Sequence, residues 1–397
     1  MRQPLFMPKC PHLDYNIPMS NLLDYLTWRG DISFSQDPFN SIDGMILSCL
    51  SYVKLEKVLP KKGKMTIAQA SEKFFKIHSE AELAKDKSFI KFAPSMLKAL
   101  SEADRFKDAY LSNYVNEIDI SKQIQFSAVT VDTPDGMTFI SFRGTDDSII
   151  GWKEDFNLSF ETVPAETEAA KYLQNAMNGR LNKVRIGGHS KGGHLAIYAA
   201  ATVPIDIAMK IEKIYSFDGP GFNSEAMKSN KFKKIQPRIE KYIPETSIIG
   251  RLLEDSTKPT VVKSSEVGIM QHDPLTWQLE GKNFVTCAST DKISNLFDET
   301  MTGWLDNMSF AERKVFVDEL FSVFEASGCE YLSQMTKVGI KGIRAMIVRL
   351  GQIKNDTGAK VKALVKMFFI NLNVLKAGGD NDKLISGLLS LDSGSQK

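Results

Sequence analysis

Gly188-His189-Ser190-Lys191-Gly192-Gly193 is the stretch whose residue types and spacing could do covalent chemistry. A serine on a sharp strand-to-helix turn is held in a strained conformation, and flanking glycines leave room for the chain on both sides. The same turn aims backbone N–H groups, at the positive end of the following helix, toward a reacting oxygen. The context fits, because residues 183–187 predict a strand and residues 192–202 a helix. Such a serine needs a base, and the chain has five histidines. His12 and His78 precede the turn, His189 adjoins Ser190, and His194 lies one helical turn beyond it. Each of these reads as a packing or surface residue. His272, in Met270-Gln271-His272-Asp273-Pro274, follows Ser190 in a proline-containing loop, as a base reaching over a sheet should.

The acid that would orient His272 and stabilise its imidazolium reads first as Asp218. It ends the apolar run 213–217, where ligand sites of open α/β sheets form, although it could also cap the turn Gly219-Pro220-Gly221. Glu245, Glu254 and Asp255 stay open as alternatives. An oxyanion hole would draw on the N–H of Lys191, after the nucleophile, and on Thr145 in Ser141-Phe142-Arg143-Gly144-Thr145, through its N–H and also its hydroxyl. Arg143 reads as a salt-bridge partner of Asp155 rather than a substrate ligand.

These residues require a scaffold. Residues 125–131 and 137–142 form two β-type runs around a Thr133–Gly136 turn, a β-hairpin pattern. From there to about residue 290, short apolar runs alternate with helical segments; 259–263 and 283–287 are the weaker strand candidates. That alternation implies a mostly parallel sheet covered by helices. Residues 64–118 read as mainly helical, with one more helix over 38–58, and the chain turns helical again after Asp298 to about residue 376. The expected layout is an N-terminal helical segment (1–118), an α/β core (119–295) and a C-terminal helical region (296–397).

With 43% apolar and 25% charged residues, the 397-residue chain has the composition of a globular protein. Fifty basic against 48 acidic side chains give no global reason to expect nucleic acid. Cys10, Cys49, Cys287 and Cys329 are too scattered for a zinc site or disulfide framework, so no metal or cofactor is expected. The N-terminus lacks a secretory h-region and no stretch is long enough for a transmembrane helix, so the expected location is the cytoplasm.

Taken together, Phe142-Arg143-Gly144-Thr145, Trp152, Asp155 and the serine turn resemble the fungal-type class 3 lipase pattern. The fuller set resembles the bacterial Mbeg1-like family: Asn21-Leu22-Leu23-Asp24-Tyr25 through Trp28-Arg29-Gly30-Asp31, Gln36-Asp37-Pro38-Phe39-Asn40, Phe217-Asp218-Gly219-Pro220-Gly221-Phe222, and Gln271-His272-Asp273-Pro274 with Trp277. The resemblance covers roughly residues 20–290 and implies an α/β-hydrolase fold with Ser190 and His272 in the catalytic positions. Class 3 lipases carry their acid in a D-x-V-P-like segment. Its nearest counterpart here, 246–250, offers Ser247, which shifts the expectation to Asp218. Hydrolysis of carboxylic esters, including lipid esters, is the leading expectation. The alternatives are a non-catalytic scaffold that keeps the turn for structure, and a membrane-surface binding protein.

The last alternative rests on residues 329–376, which hold nine basic residues against Glu330 and Asp356. Ile340, Ile343, Ile347 and Leu350 form one apolar stripe and Val361, Leu364, Val365 and Phe368 another. A basic amphipathic helix can lie on an anionic membrane; equally, both stripes can pack on the core with the lysines outward, which is the favoured expectation.

Overall fold

The computed structural model describes residues 20–86, 88–119, 124–146, 148–158, 163–222, 227–252, 257–290, 303–304 and 307–371. His12, Cys10, Glu254 and Asp255 lie outside them. Eight strands form one sheet in chain order: β1 (Lys64–Thr66), β2 (Tyr110–Asp119), β3 (Ile124–Asp132), β4 (Thr138–Phe142), β5 (Val184–His189), β6 (Ile211–Phe217), β7 (Ile239–Pro244) and β8 (Thr260–Val262). β1 to β4 pair antiparallel, and β4 to β8 are parallel. The hairpin turn joins β3 to β4 with Asp132 opposite Thr138.

Three expectations change. Residues 110–119 are strand β2, not helix, and β1 also lies within the segment read as helical. β7 went unrecognised. Residues 283–287 form no full strand of the sheet: Asn283–Phe284 pairs with Leu279–Glu280 in a small ribbon, and Thr286 makes a single antiparallel bridge to Val262 at the β8 edge.

Alternation along the strands feeds two cores, because successive side chains point to opposite faces. Val129, Val131, Phe139, Tyr215 and Phe217 pack under α1 (Leu22–Arg29), α2 (Ser41–Leu50), α3 (Ile67–Ile77) and α4 (Ala93–Glu102). Phe126, Ala128, Ile140, Phe142 and Ile214 face α6 (Pro164–Met177) and α7 (Lys191–Thr202) on the other side. A third core lies where loops leave the carboxyl ends of the parallel strands. There α5 (Ile149–Asn157), Ile248 and Ile269 pack against α8 (Phe310–Ala326), α9 (Ile340–Gln352) and α10 (Asn355–Asn371). The C-terminal stripes turn inward: Ile343, Leu350, Val361, Leu364, Val365 and Phe368 are buried, Ile347 is half-buried, and Ile340 stays exposed.

The N-terminal motifs are structural. Asn21 and Asn40 cap α1 and α2 in capping boxes with Asp24 and Asp43. Asp43 in turn meets Arg105 at 2.6 Å, and that buried guanidinium also donates to the carbonyls of Ile32 and Asp37. Cys49, Cys287 and Cys329 are free thiols. A mostly parallel sheet with helices on both faces, and a serine turn between β5 and α7, make this an α/β-hydrolase fold.

Candidate active site

β5 delivers the chain into the turn, and Ser190 takes φ 57° and ψ −136° at the N-cap of α7. A non-glycine residue at positive φ costs about 1–3 kcal/mol and persists only where its surroundings fix it. Two hydrogen bonds do so here. The Ser190 N–H donates to the Phe217 carbonyl on β6 at 2.8 Å, and the Ser190 carbonyl accepts from Gly193 at 2.9 Å. The glycines are steric requirements. A Cβ on Gly188 would sit 2.3 Å from the Gly192 carbonyl carbon, and one on Gly192 would sit 2.1 Å from the Phe142 oxygen.

Asp218 leaves β6 at a second positive φ, 50°. Its Oδ2 is 2.6 Å from Nδ1 of His272, while Oδ1 accepts from the Ser247 hydroxyl at 2.5 Å and the Gly250 N–H at 3.1 Å. The carboxylate is thus buried and hydrogen-bonded on both oxygens. Ser247, at the position where the lipase pattern has its acid, donates to Asp218, which stands one strand earlier. Glu245 lies apart, accepting from the Cys287 thiol at 3.3 Å.

The loop bearing His272 is tied down residue by residue. Gln271 accepts from the Thr246 N–H and donates to the Glu266 carbonyl, each at 2.8 Å. Asp273 caps the turn Pro274–Thr276, and the Trp277 indole, fully buried, donates to the Gln271 carbonyl. The Trp152 ring meets His272 edge-on, centroids 5.5 Å apart.

The Arg143-Gly144-Thr145 segment follows β4 and lies against the serine turn. A Cβ on Gly144 would approach the His189 oxygen to 2.5 Å and the Ser190 Cβ to 2.9 Å. The Thr145 hydroxyl donates to Asp155 Oδ1 at 2.7 Å, so of its two expected donors the N–H is the one left for an oxyanion. Asp155 does not pair with Arg143. It lies 3.7 Å from the Lys191 ammonium, which is equally close to Glu154. Burial pushes both carboxyls up, against the pull of the Lys191 charge. The Arg143 guanidinium lies instead where its charge acts on the Tyr52 and Tyr114 phenols.

Sequence reasoning missed Tyr52. Its phenol oxygen packs against Gly144, where a Cβ would come within 2.4 Å of it, and bonds His189 Nδ1 at 2.9 Å. His189 Nε2 lies 2.8 Å from the His272 carbonyl. That carbonyl can only accept, so Nε2 carries the proton and Nδ1 accepts from Tyr52. Burial, then the nearby His272 charge, holds the His189 pKa well below the ordinary value, so the ring is neutral. One imidazole therefore joins the Gly144 loop, the serine turn and the His272 loop. Its ring centroid is 4.6 Å from that of His272. No spacing signal could have found Tyr52, which is 137 residues from His189.

His194 is a packing residue, as its position suggests. It is stacked on Phe222, with Nδ1 at the Gly221 carbonyl and Nε2 2.8 Å from Glu166. His78 lies 3.5 Å from Glu82 at the surface. Among the described residues, no group of three His, Cys, Asp or Glu side chains could hold a metal ion, and no helix is long and apolar enough to cross a membrane. Ser190, His272 and Asp218 are only 3%, 4% and 1% exposed, so the site is closed to bulk solvent.

A model of the Mbeg1-like family matches residues 100–322. No curated protein matches the chain. Among solved structures it is similar to the Lip2 lipase of Yarrowia lipolytica (9% identity over 42% of this chain and 69% of that one, TM-score 0.29). It is also similar to M37 lipase (16%, 52% and 68%, 0.28) and to a lipase from Rhizopus microsporus var. chinensis (12%, 64% and 90%, 0.33).

Proposed function

The chain belongs to the Mbeg1-like family, and from that premise we propose that it is a serine hydrolase that cleaves carboxylic esters with Ser190, His272 and Asp218. The observation that carries the reading is the 2.6 Å contact of Asp218 Oδ2 with His272 Nδ1, beside a serine held at positive φ on a strand-to-helix turn. Ser190 Oγ attacks the ester carbonyl while His272 Nε2 takes its proton. Asp218 keeps Nδ1 protonated and stabilises the imidazolium. The N–H groups of Thr145 and Lys191 receive the oxyanion. His272 returns its proton to the departing alcohol, leaving an acyl group on Ser190; water, activated by the same imidazole, then releases the acid. Because His189 is neutral, it does not compete with His272 for that proton. The bonds from the Ser247 hydroxyl and the Gly250 N–H fix the Asp218 carboxylate just past the end of β6, with its other oxygen on His272.

The test is a fluorophosphonate probe together with nitrophenyl esters. Wild type should label and turn over, and Ser190→Ala should lose labelling and at least about 10³-fold in rate. A wild type inert to both would sink the proposal.

A second, weaker reading concerns α9, whose outer face carries Ile340, Lys341, Arg344 and Val348, all exposed. With its buried stripe committed to the core, that helix could touch an anionic membrane only peripherally. Co-sedimentation with phosphatidylserine vesicles should then fall in Lys341→Glu/Arg344→Glu, by about 1 kcal/mol per basic residue lost. Unchanged sedimentation would remove the membrane from consideration.

A further inference from the structure

Lys191 brings a buried charge to the serine turn, and the proposed reaction uses that residue only through its backbone N–H. Its side chain is 3% exposed, and lysine is rarely buried so deeply unless it is paired. The ammonium lies 3.7 Å from the buried Asp155 carboxylate and equally far from the half-exposed Glu154. Stability gives no reason for such a pair, because apolar side chains of similar volume commonly hold a core as well or better. A methionine or leucine would also serve the first turn of α7 as a helix former. The fold alone therefore does not ask for a lysine here.

The arrangement around Asp155 does ask for one. Oδ1, the oxygen that faces Lys191, also accepts from the Thr145 hydroxyl at 2.7 Å. Thr145 and Lys191 are the two residues whose N–H groups receive the oxyanion in the proposed reaction, and both send their side chains to this one atom. Asp155 stands on α5, and that helix grips Thr145 at a second point. A Cβ on Gly151, four residues before Asp155 and so on the same helix face, would lie 2.0 Å from Thr145 Cγ2. With its methyl against Gly151 and its hydroxyl on Asp155, Thr145 has little freedom. An ionised Asp155 can only accept, so the Thr145 hydroxyl must donate. Burial favours the neutral carboxyl, and the Lys191 charge opposes that.

We propose, resting on the reading of Ser190 as nucleophile, that the Lys191 side chain is a positioning group for the oxyanion hole: through Asp155 it holds the loop after β4 against the first turn of α7 and so sets the spacing of the two N–H donors. Spacing matters because such donors must match the developing oxyanion rather than the ground-state carbonyl. A misplacement of about 1 Å can cost on the order of 10²-fold in rate.

The experiment is a double-mutant cycle in the full-length protein: wild type, Lys191→Met, Asp155→Asn and the two together, on nitrophenyl acetate, with fluorophosphonate labelling of each. Both substitutions keep every backbone N–H. Lys191→Met should lower kcat roughly ten- to hundredfold and leave KM within about threefold, the mark of an interaction made in the transition state. In the Asp155→Asn background the same change should cost less than about threefold, because the lysine acts through that carboxylate. A kcat in Lys191→Met within about twofold of wild type, or an equal loss in both backgrounds, would overturn the positioning role. If a single variant leaves a lone buried charge and does not fold, the double variant, which buries neither charge, decides: kcat down roughly ten- to hundredfold supports the proposal, and kcat within about twofold overturns it. Each of these outcomes is read in a protein whose wild type labels at Ser190; absence of labelling in wild type would overturn the nucleophile reading instead.

Discussion

The flank of the site that holds Tyr52 and the flank that holds Trp152 are made differently. On the first, direction is set by hydrogen bonds: Tyr52 to His189, and His189 to the His272 carbonyl. On the second, Trp152, Phe156, Ile248 and Ile269 meet α8 and α10 by apolar contact, with one ion pair, Lys153 to Asp318, beside them. Hydrogen bonds have geometry and burial has little. The Tyr52 flank should therefore govern where the reacting groups sit, and the Trp152 flank how firmly the structure closes over them. Losses on one side should show up in rate, on the other in stability.

The largest effect is expected from the apolar flank. Phe321 is 1% exposed and packs edge-on against Phe156, centroids 5.3 Å apart. Phe321→Ala should destabilise by about 3–5 kcal/mol in urea unfolding. Turnover of nitrophenyl acetate per folded molecule should stay within about threefold. A rate loss as large as the stability loss would erase the distinction between the flanks.

Next comes Tyr52→Phe, which keeps the ring and deletes the oxygen. It leaves a buried acceptor on His189 Nδ1, a loss of about 1–3 kcal/mol where no water replaces the partner. If the network positions the oxyanion loop, kcat should fall roughly ten- to hundredfold while KM for acetate holds. A stability loss with kcat intact would reduce Tyr52 to a structural residue.

The same contrast explains what the sequence disclosed. The serine turn is legible because its demands are local: two clashes that only glycine avoids fall within four residues of Ser190. His272 stands out because few histidines compete for its place. Asp218 is visible only as a strand end, and nothing in a linear reading couples it to Ser247, whose bond to it spans 29 residues. β2 was read as helix because its alternation breaks. Asn113 takes φ 53° and the pairing slips between Ser112 and Val115, so the period of two does not persist long enough to be read. Arg143 and Asp155 are plausible partners by charge. Yet Lys191, one residue after Ser190, reaches Asp155 from the first turn of α7, and adjacency in the fold outweighs adjacency in the chain.

The smallest expected effect is the part of the pH dependence that Asp273 contributes on the hydrogen-bonded flank. Asp273 follows His272, and burial raises its pKa to about 6; the Leu275 N–H, His272 and Lys91 favour its charge while Glu266 opposes it. A carboxyl that holds its proton more tightly folded than unfolded contributes stability that is complete below the unfolded value near 4 and is lost as pH rises through about 6. Urea midpoints should therefore decline from pH 4 to pH 7 in wild type. Asp273→Asn keeps an oxygen able to cap Leu275, so it should flatten that decline without removing the turn. Phe321→Ala should lower the whole curve and leave its slope alone, because the side chains that line the small cavity with Phe321 are all apolar. An equal slope in wild type and Asp273→Asn would show that the decline arises elsewhere, and that the two flanks respond to pH as one body.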